Sequence, residues 1–84
     1  MPIISSFYGI SIKMYFRNQE HNPPHFHAYY GEHSAVFDLE TLKIIDGKLP
    51  GKAHLLVIEW TIMHRDKLIE IWNTQNFEKI EPLE

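Results

Sequence analysis

Three of the six histidines in this chain fall within HNPPHFHAYY, residues 21–30: His21, His25 and His27. Imidazole does two kinds of chemistry near neutral pH. It ligates transition metals, and it takes or gives protons. His25 and His27 are two residues apart, so on a strand both rings leave the same face. His21 precedes a stiff Asn-Pro-Pro turn that could fold it back beside them. Three neutral imidazoles with an open position for water suit a divalent metal such as zinc, nickel or copper. Glu20, Glu32 and Asp38 are the carboxylates within reach to orient such ligands. The same rings could cleave RNA without a metal. One would take the 2′-hydroxyl proton and the other would protonate the leaving oxygen. Lys13, Arg17 and Arg65 are the cations available to the phosphate, and spacing does not choose among them. A third reading is structural. Histidines pack well on a half-exposed sheet face, where Tyr15 and Tyr29 could stack and hydrogen-bond with them. All three readings stay open on the residues alone.

His64 lies between Trp60 and Leu68 on an apolar helical stripe. A histidine there is more often a packed side chain than a ligand, yet it could project into a pocket shared with the histidine loop. Which sheet face the helix covers decides this. If the helix covers the Phe26/Ala28/Tyr30 face, His64 can join His25 and His27 only around a sheet edge. Trp60 and Trp72 read as core or interface anchors, His33 and His54 as surface residues, and Asp46-Gly47 as a turn. No Gly-rich phosphate loop, nucleophile elbow or HExxH stretch occurs.

The elements that must hold these residues follow from periodicity. In ISIKMYF (10–16), Ile10, Ile12, Met14 and Phe16 alternate with Ser11, Lys13 and Tyr15, as in a half-buried strand. RNQEHNPP is a loop, because proline removes a donor and extends the residue before it. HFHAYY, SAVFDLE and LKII read as further strands, with Gly31-Glu32 a tight hairpin turn. From about residue 52 to 75 the period changes. Val57, Trp60, His64, Leu68 and Ile71 form a helical stripe, and Leu55, Ile58, Ile62 and Ile69 widen its buried surface. The tail, 76–84, is acidic and expected to fray, with Ile80 and Leu83 able to dock. The expected architecture is α+β in one domain, 1–84: an antiparallel β-meander of three to four strands over about 3–49, packed with one long C-terminal helix. An open sheet edge and an apolar helix would suit a homodimer.

Composition bounds the rest. The 84 residues carry 44% hydrophobic side chains, too many for a disordered segment. There is no cysteine, so disulfides and thiolate zinc sites are excluded. The start, MPIISSFYG, has neither a basic nor an apolar leader region, and no apolar run approaches a membrane span. A cytoplasmic setting is expected, without membrane contact. The net charge of −3 argues against broad electrostatic binding to nucleic acid. It leaves room for a small RNA-directed pocket or a basic partner protein.

FYGISIKMYF, HNPPHFHAYYGE, the GKLP turn and IEWTIMHRDKLIEIW together resemble a small bacterial and archaeal family catalogued as domain of unknown function family 4160. The resemblance runs from about Ile3 to Leu83. Its marked positions fall here on His21, Asn22, Pro23, Pro24, His25, His27, Trp60 and His64. Glu20 stands where an aspartate is often seen. The resemblance implies a short protein paired with a second small one, similar to a toxin–antitoxin module. It assigns no role to any of the marked positions. Taken with the histidine cluster in a stiff loop and the short chain, the expectation is a toxin-like, histidine-dependent or metal-dependent nuclease or hydrolase acting on RNA or another phosphoester. His25, His27 and His64 are its candidate catalytic residues, and His21, His25 and His27 its candidate metal ligands. The alternatives are a non-catalytic interaction or regulatory module with structural histidines, and a metal-binding protein without turnover.

Overall fold

A computed structural model describes residues 3–15 and 23–83 of the chain. Its elements run β1 (Ile3–Phe7), β2 (Ile10–Lys13), β3 (His25–Tyr30), β4 (His33–Asp38), β5 (Ile44–Lys48) and α1 (Gly51–Thr74). Among the described residues, the strands form one antiparallel sheet in the order β1-β2-β3-β4-β5. The α+β meander with a C-terminal helix is therefore present, with five strands rather than three to four. The expected end of the first strand at Phe16 and the loop residues 17–22 lie outside the described residues.

The additional strand is β1. IISSF does not alternate, because a register shift between Ile3 and Ser5 puts an extra residue into the strand. Ile4 and Ser5 are consequently both buried, which a regular period of two forbids. Tyr8 and Gly9 join β1 to β2, both with positive φ (49° and 81°), as a two-residue hairpin turn of this hand requires. Gly31, at φ 59°, likewise opens the expected turn between β3 and β4.

Asp46-Gly47 is not a turn. Both residues lie inside β5, opposite Val36 and Ala35. A Cβ on Gly47 would sit 2.2 Å from the Ser34 carbonyl oxygen. The glycine is there because a neighbouring backbone passes too close for any side chain. The register shift between Val36 and Phe37 marks an irregularity in the same pairing.

One face of the sheet carries Ile10, Ile12, Phe26, Ala28, Ala35 and Phe37, all buried. α1 covers it with Ala53, Val57, Trp60, Leu68, Ile71 and Trp72. Trp60 is the centre of this layer, with its ring centroid 5.5 Å from Phe7 and 6.1 Å from Phe26. Phe26 stacks on Phe37 at 5.3 Å. Leu55 and Ile62 do not widen the buried stripe. They are exposed on the far side of the helix, whereas Ile58 and Ile69 are partly buried. The helix departs from helical geometry at His64 (φ −124°, ψ 19°). One turn earlier, Thr61 Oγ1 donates to the Val57 carbonyl at 2.7 Å, a back-bond that bends helices. α1 ends at Gln75, left-handed at φ 58°, whose N–H caps the Ile71 carbonyl.

The tail docks rather than frays. Ile80 and Leu83 are buried. The Ile80 N–H donates to the Ile4 carbonyl at 2.8 Å, and Trp60 Nε1–H donates to the Glu81 carbonyl at 2.9 Å. The first contact also occupies an acceptor of the outer strand β1. β5 is the opposite edge, and charged Asp46 and Lys48 are exposed on it, a common guard against edge-to-edge pairing.

Candidate functional site

Because α1 covers the Phe26/Ala28 face, the alternate residues of β2 and β3 belong to the sheet's other face. Pairing places Ser11 opposite Tyr29 and Lys13 opposite His27. On the far side, His25 faces Asp38 and His27 faces Val36. Directly opposed side chains on one face are near neighbours. The result is a cluster of Lys13, Tyr15, His25, His27 and Tyr29.

Its geometry is closely interlocked. The Tyr15 and Tyr29 hydroxyls hydrogen-bond at 2.7 Å. The His27 ring meets Tyr15 edge-on at 4.5 Å and lies parallel to Tyr29 at 6.3 Å. Lys13 Nζ sits 4.9 Å above the centre of the Tyr29 ring, in range for a cation–π attraction. The His25 and His27 ring centroids are 5.4 Å apart.

The two histidines differ in how they are held. His25 is only 8% exposed. Its Nδ1 lies 2.7 Å from the Pro23 carbonyl oxygen. A carbonyl can only accept, so Nδ1 carries the proton and the basic position of the neutral ring is Nε2. The ring also lies 5.0 Å from Trp72, so His25 links the open face to the helical layer. The Pro24 carbonyl accepts from Leu39 N–H at 2.9 Å, which fixes the Pro-Pro segment against the end of β4. His27 is half-buried and forms the middle of the aromatic row.

His64 is placed elsewhere. Its ring packs on Trp60 at 5.4 Å, and Trp60 belongs to the covered face. Among the described ring contacts, it meets neither His25 nor His27. Its buried Nε2 has no hydrogen-bond partner among the described residues. Arg65 also stands apart, donating to the Glu40 carbonyl at 2.7 Å. Of the three cations considered for a phosphate, Lys13 is the one beside the histidines, while Arg17 lies outside the described residues.

The metal reading rests on His21, which is also outside the described residues, as is Glu20. Among the described residues, no three His, Asp or Glu side chains converge as a metal set. Asp38, though opposite His25, is used locally. Its Oδ1 accepts from Glu40 N–H at 2.6 Å and Thr41 N–H at 3.2 Å, which shapes the turn after β4. Glu32 and His33 are exposed at the hairpin end. His54 is not simply a surface residue, since its ring meets Phe37 edge-on at 5.5 Å. No described helix is long and apolar enough to cross a membrane.

Lys13, one of three candidate cations, and Trp72, expected as a core or interface anchor, are the two members whose place beside the histidines residue spacing does not give. Lys13 was legible as sharing a face with Tyr15, but its partner across the sheet depends on register. Trp72 is brought to His25 only by the path of α1.

No curated protein and no solved structure matches the chain. The family comparison matches residues 9–73 to the family described as Domain of unknown function (DUF4160). That stretch contains β2, β3, β4, β5, most of α1 and every residue of the cluster, and the chain belongs to this family.

Proposed function

We propose that this protein is the acting, toxin-like member of a two-protein module and that the open face of its sheet takes RNA or a similar phosphoester. The observation that carries the reading is the His25–His27 pair beside Lys13. Two imidazoles on one face can divide the proton transfers of RNA cleavage. The orientation of His25, with its proton on Nδ1, suits Nε2 to accept the proton of the ribose 2′-hydroxyl. The freed oxygen attacks phosphorus, a 2′,3′-cyclic phosphate forms, and the 5′-oxygen leaves with a proton from His27. Lys13 would neutralise the non-bridging oxygens, while Tyr15 and Tyr29 offer rings on which an unpaired base could stack. A metal, if His21 joins His25 and His27, would supply a Lewis acid at the same place.

The test is incubation of the full chain with single-stranded RNA and with DNA of the same sequence, in chelator and again with added zinc. Cleavage of RNA alone, ending in a cyclic phosphate, is the expected result. His27→Gln should lower the rate by about a hundredfold or more, the usual range for a lost acid or base. Inert wild-type protein under both conditions, or equal rates in wild type and variant, would refute the reading.

A non-catalytic module with structural histidines is favoured by one observation, the near-complete burial of His25 under Trp72. It predicts that His25 and His27 variants change stability and nothing else.

A further inference from the structure

The outward side of α1 has a composition that the fold does not explain. Leu55 is 72% exposed, and Ile62 and Met63 are each 62% exposed. Other large exposed apolar residues, such as Ile3, Tyr8 and Ile45, sit on separate strands and turns. Leu55, Glu59 and Ile62 step by four and three, so they share one stripe, and Asp66, past the break at His64, lines one cleft with Ile62 and Met63. Two of them are the carboxylates Glu59 and Asp66, set among the apolar side chains and not on a distant polar face. Leu42, from the turn after β4, joins Ile62 and Met63 in lining a shallow cleft along this side.

The charges give the surface its direction. Lys67 is held by Glu78 and Glu70, and Arg65 by the Glu40 carbonyl. Glu59 and Asp66 are exposed and carry no ion pair among the described residues. Exposed Lys52 lines a cleft with Glu59 at one end of the stripe. Asp66 has no such neighbour in its own cleft other than the occupied Arg65 and Lys67. The two carboxylates are seven residues apart in sequence, about two turns of helix, with the break at His64 between them. A second copy of this chain would bring its own Glu59 and Asp66 to the same contact. A cationic partner removes that conflict.

We infer that this stripe is a docking surface for a basic amphipathic helix of a partner protein. That helix would lay apolar residues on Leu55, Ile62, Met63 and Leu42 and present Lys or Arg about two turns apart to Glu59 and Asp66. The partner's identity as the second member of the module rests on the function proposed above; the surface chemistry does not.

The test uses a synthetic amphipathic helix of about five turns with two arginines seven residues apart among leucines. A matched peptide carries glutamates at the two arginine positions. Binding to the full chain is followed by fluorescence anisotropy. The arginine peptide should bind at least about tenfold tighter than the glutamate peptide, and less tightly as salt rises. Ile62→Asp should abolish binding. The pair Glu59→Lys and Asp66→Lys should reverse the preference between the peptides. All these positions are exposed, and circular dichroism checks that each variant folds. Equal binding of the two peptides, or no reversal in the charge-swapped variant, would overturn the inference. So would a stable dimer in light scattering that Ile62→Asp dissociates, since the occupant would then be a second copy. RNA cleavage by the same variants should stay at the wild-type rate. An RNA-inert wild type that still binds the arginine peptide would sink the catalytic reading and leave the docking surface standing.

Discussion

Successive residues of β3 live in two different environments. Phe26 and Ala28 are fully buried beneath α1, and their neighbours are rings and aliphatic chains. His27 and Tyr29, one residue away in each case, face tyrosines and a lysine. On the covered side, volume decides what is acceptable, because a missing group leaves a cavity in a close-packed layer. On the open side, hydrogen-bond direction and charge decide, and solvent can replace what is removed. A strand built this way separates a packed core from a polar surface by a single step along the chain. His25 is the exception, since it lies on the open side yet packs against Trp72.

Truncating the covered face should have the largest effect. Trp60→Ala removes the ring that joins Phe7, Phe26 and the tail. It should cost about 3–5 kcal/mol, enough to unfold much of a domain of this size in water. Urea denaturation followed by circular dichroism measures it. Next comes the exception. His25→Ala loses the bond to Pro23 and the contact with Trp72, and should cost about 1–3 kcal/mol. His27→Ala should cost under about 1 kcal/mol, because its site is half-open. If the two variants melt alike, the contrast between a packed and a half-open histidine disappears.

The smallest effect lies outside both faces. The Lys67 ammonium is held above the ordinary lysine value of 10.5, chiefly by its hydrogen bond to Glu78. A raised value in the folded state means stabilisation that is complete below the unfolded value. It fades as pH rises past 10.5 through the folded value. A slight loosening of the 75–83 tail above about pH 10.5 should follow, visible as faster amide exchange at Ile80. Lys67→Met should remove that pH dependence. An unchanged exchange profile in the variant would show that the pair does not hold the tail.

Much of this contrast was legible in the residues. The alternation in 10–14 and in 25–30 separated the two sides of β2 and β3 correctly, and the helical stripe placed Val57, Trp60, Leu68 and Ile71 in the core. What sequence could not supply was register. Lys13 and Tyr15 meet His27 and Tyr29 only because β2 pairs with β3 at one offset, and the connecting loop does not encode that offset. β1 escaped notice because its bulge cancels the period of two. Asp46-Gly47 misled because glycine there answers a close backbone, not a turn. The outward Leu55 and Ile62 read as buried in the sequence because a helix pattern reports periodicity without saying which neighbours exist. His64 fell in the right stripe, but the covered face separates it from the other histidines.

The hydrogen bond from Ile80 to Ile4 brings the docked 75–83 segment onto the first strand. The described residues therefore run nearly in a ring, with the segments around Ile4 and Ile80 as neighbours. Joining them with a short flexible link and opening the ring at the Gly31-Glu32 hairpin would give a circular permutant with the same contacts. In that molecule β3 would end the chain and β4 begin it. The open face and the core could then be assembled from two separately expressed halves, as a split protein whose reconstitution reports on the sheet itself.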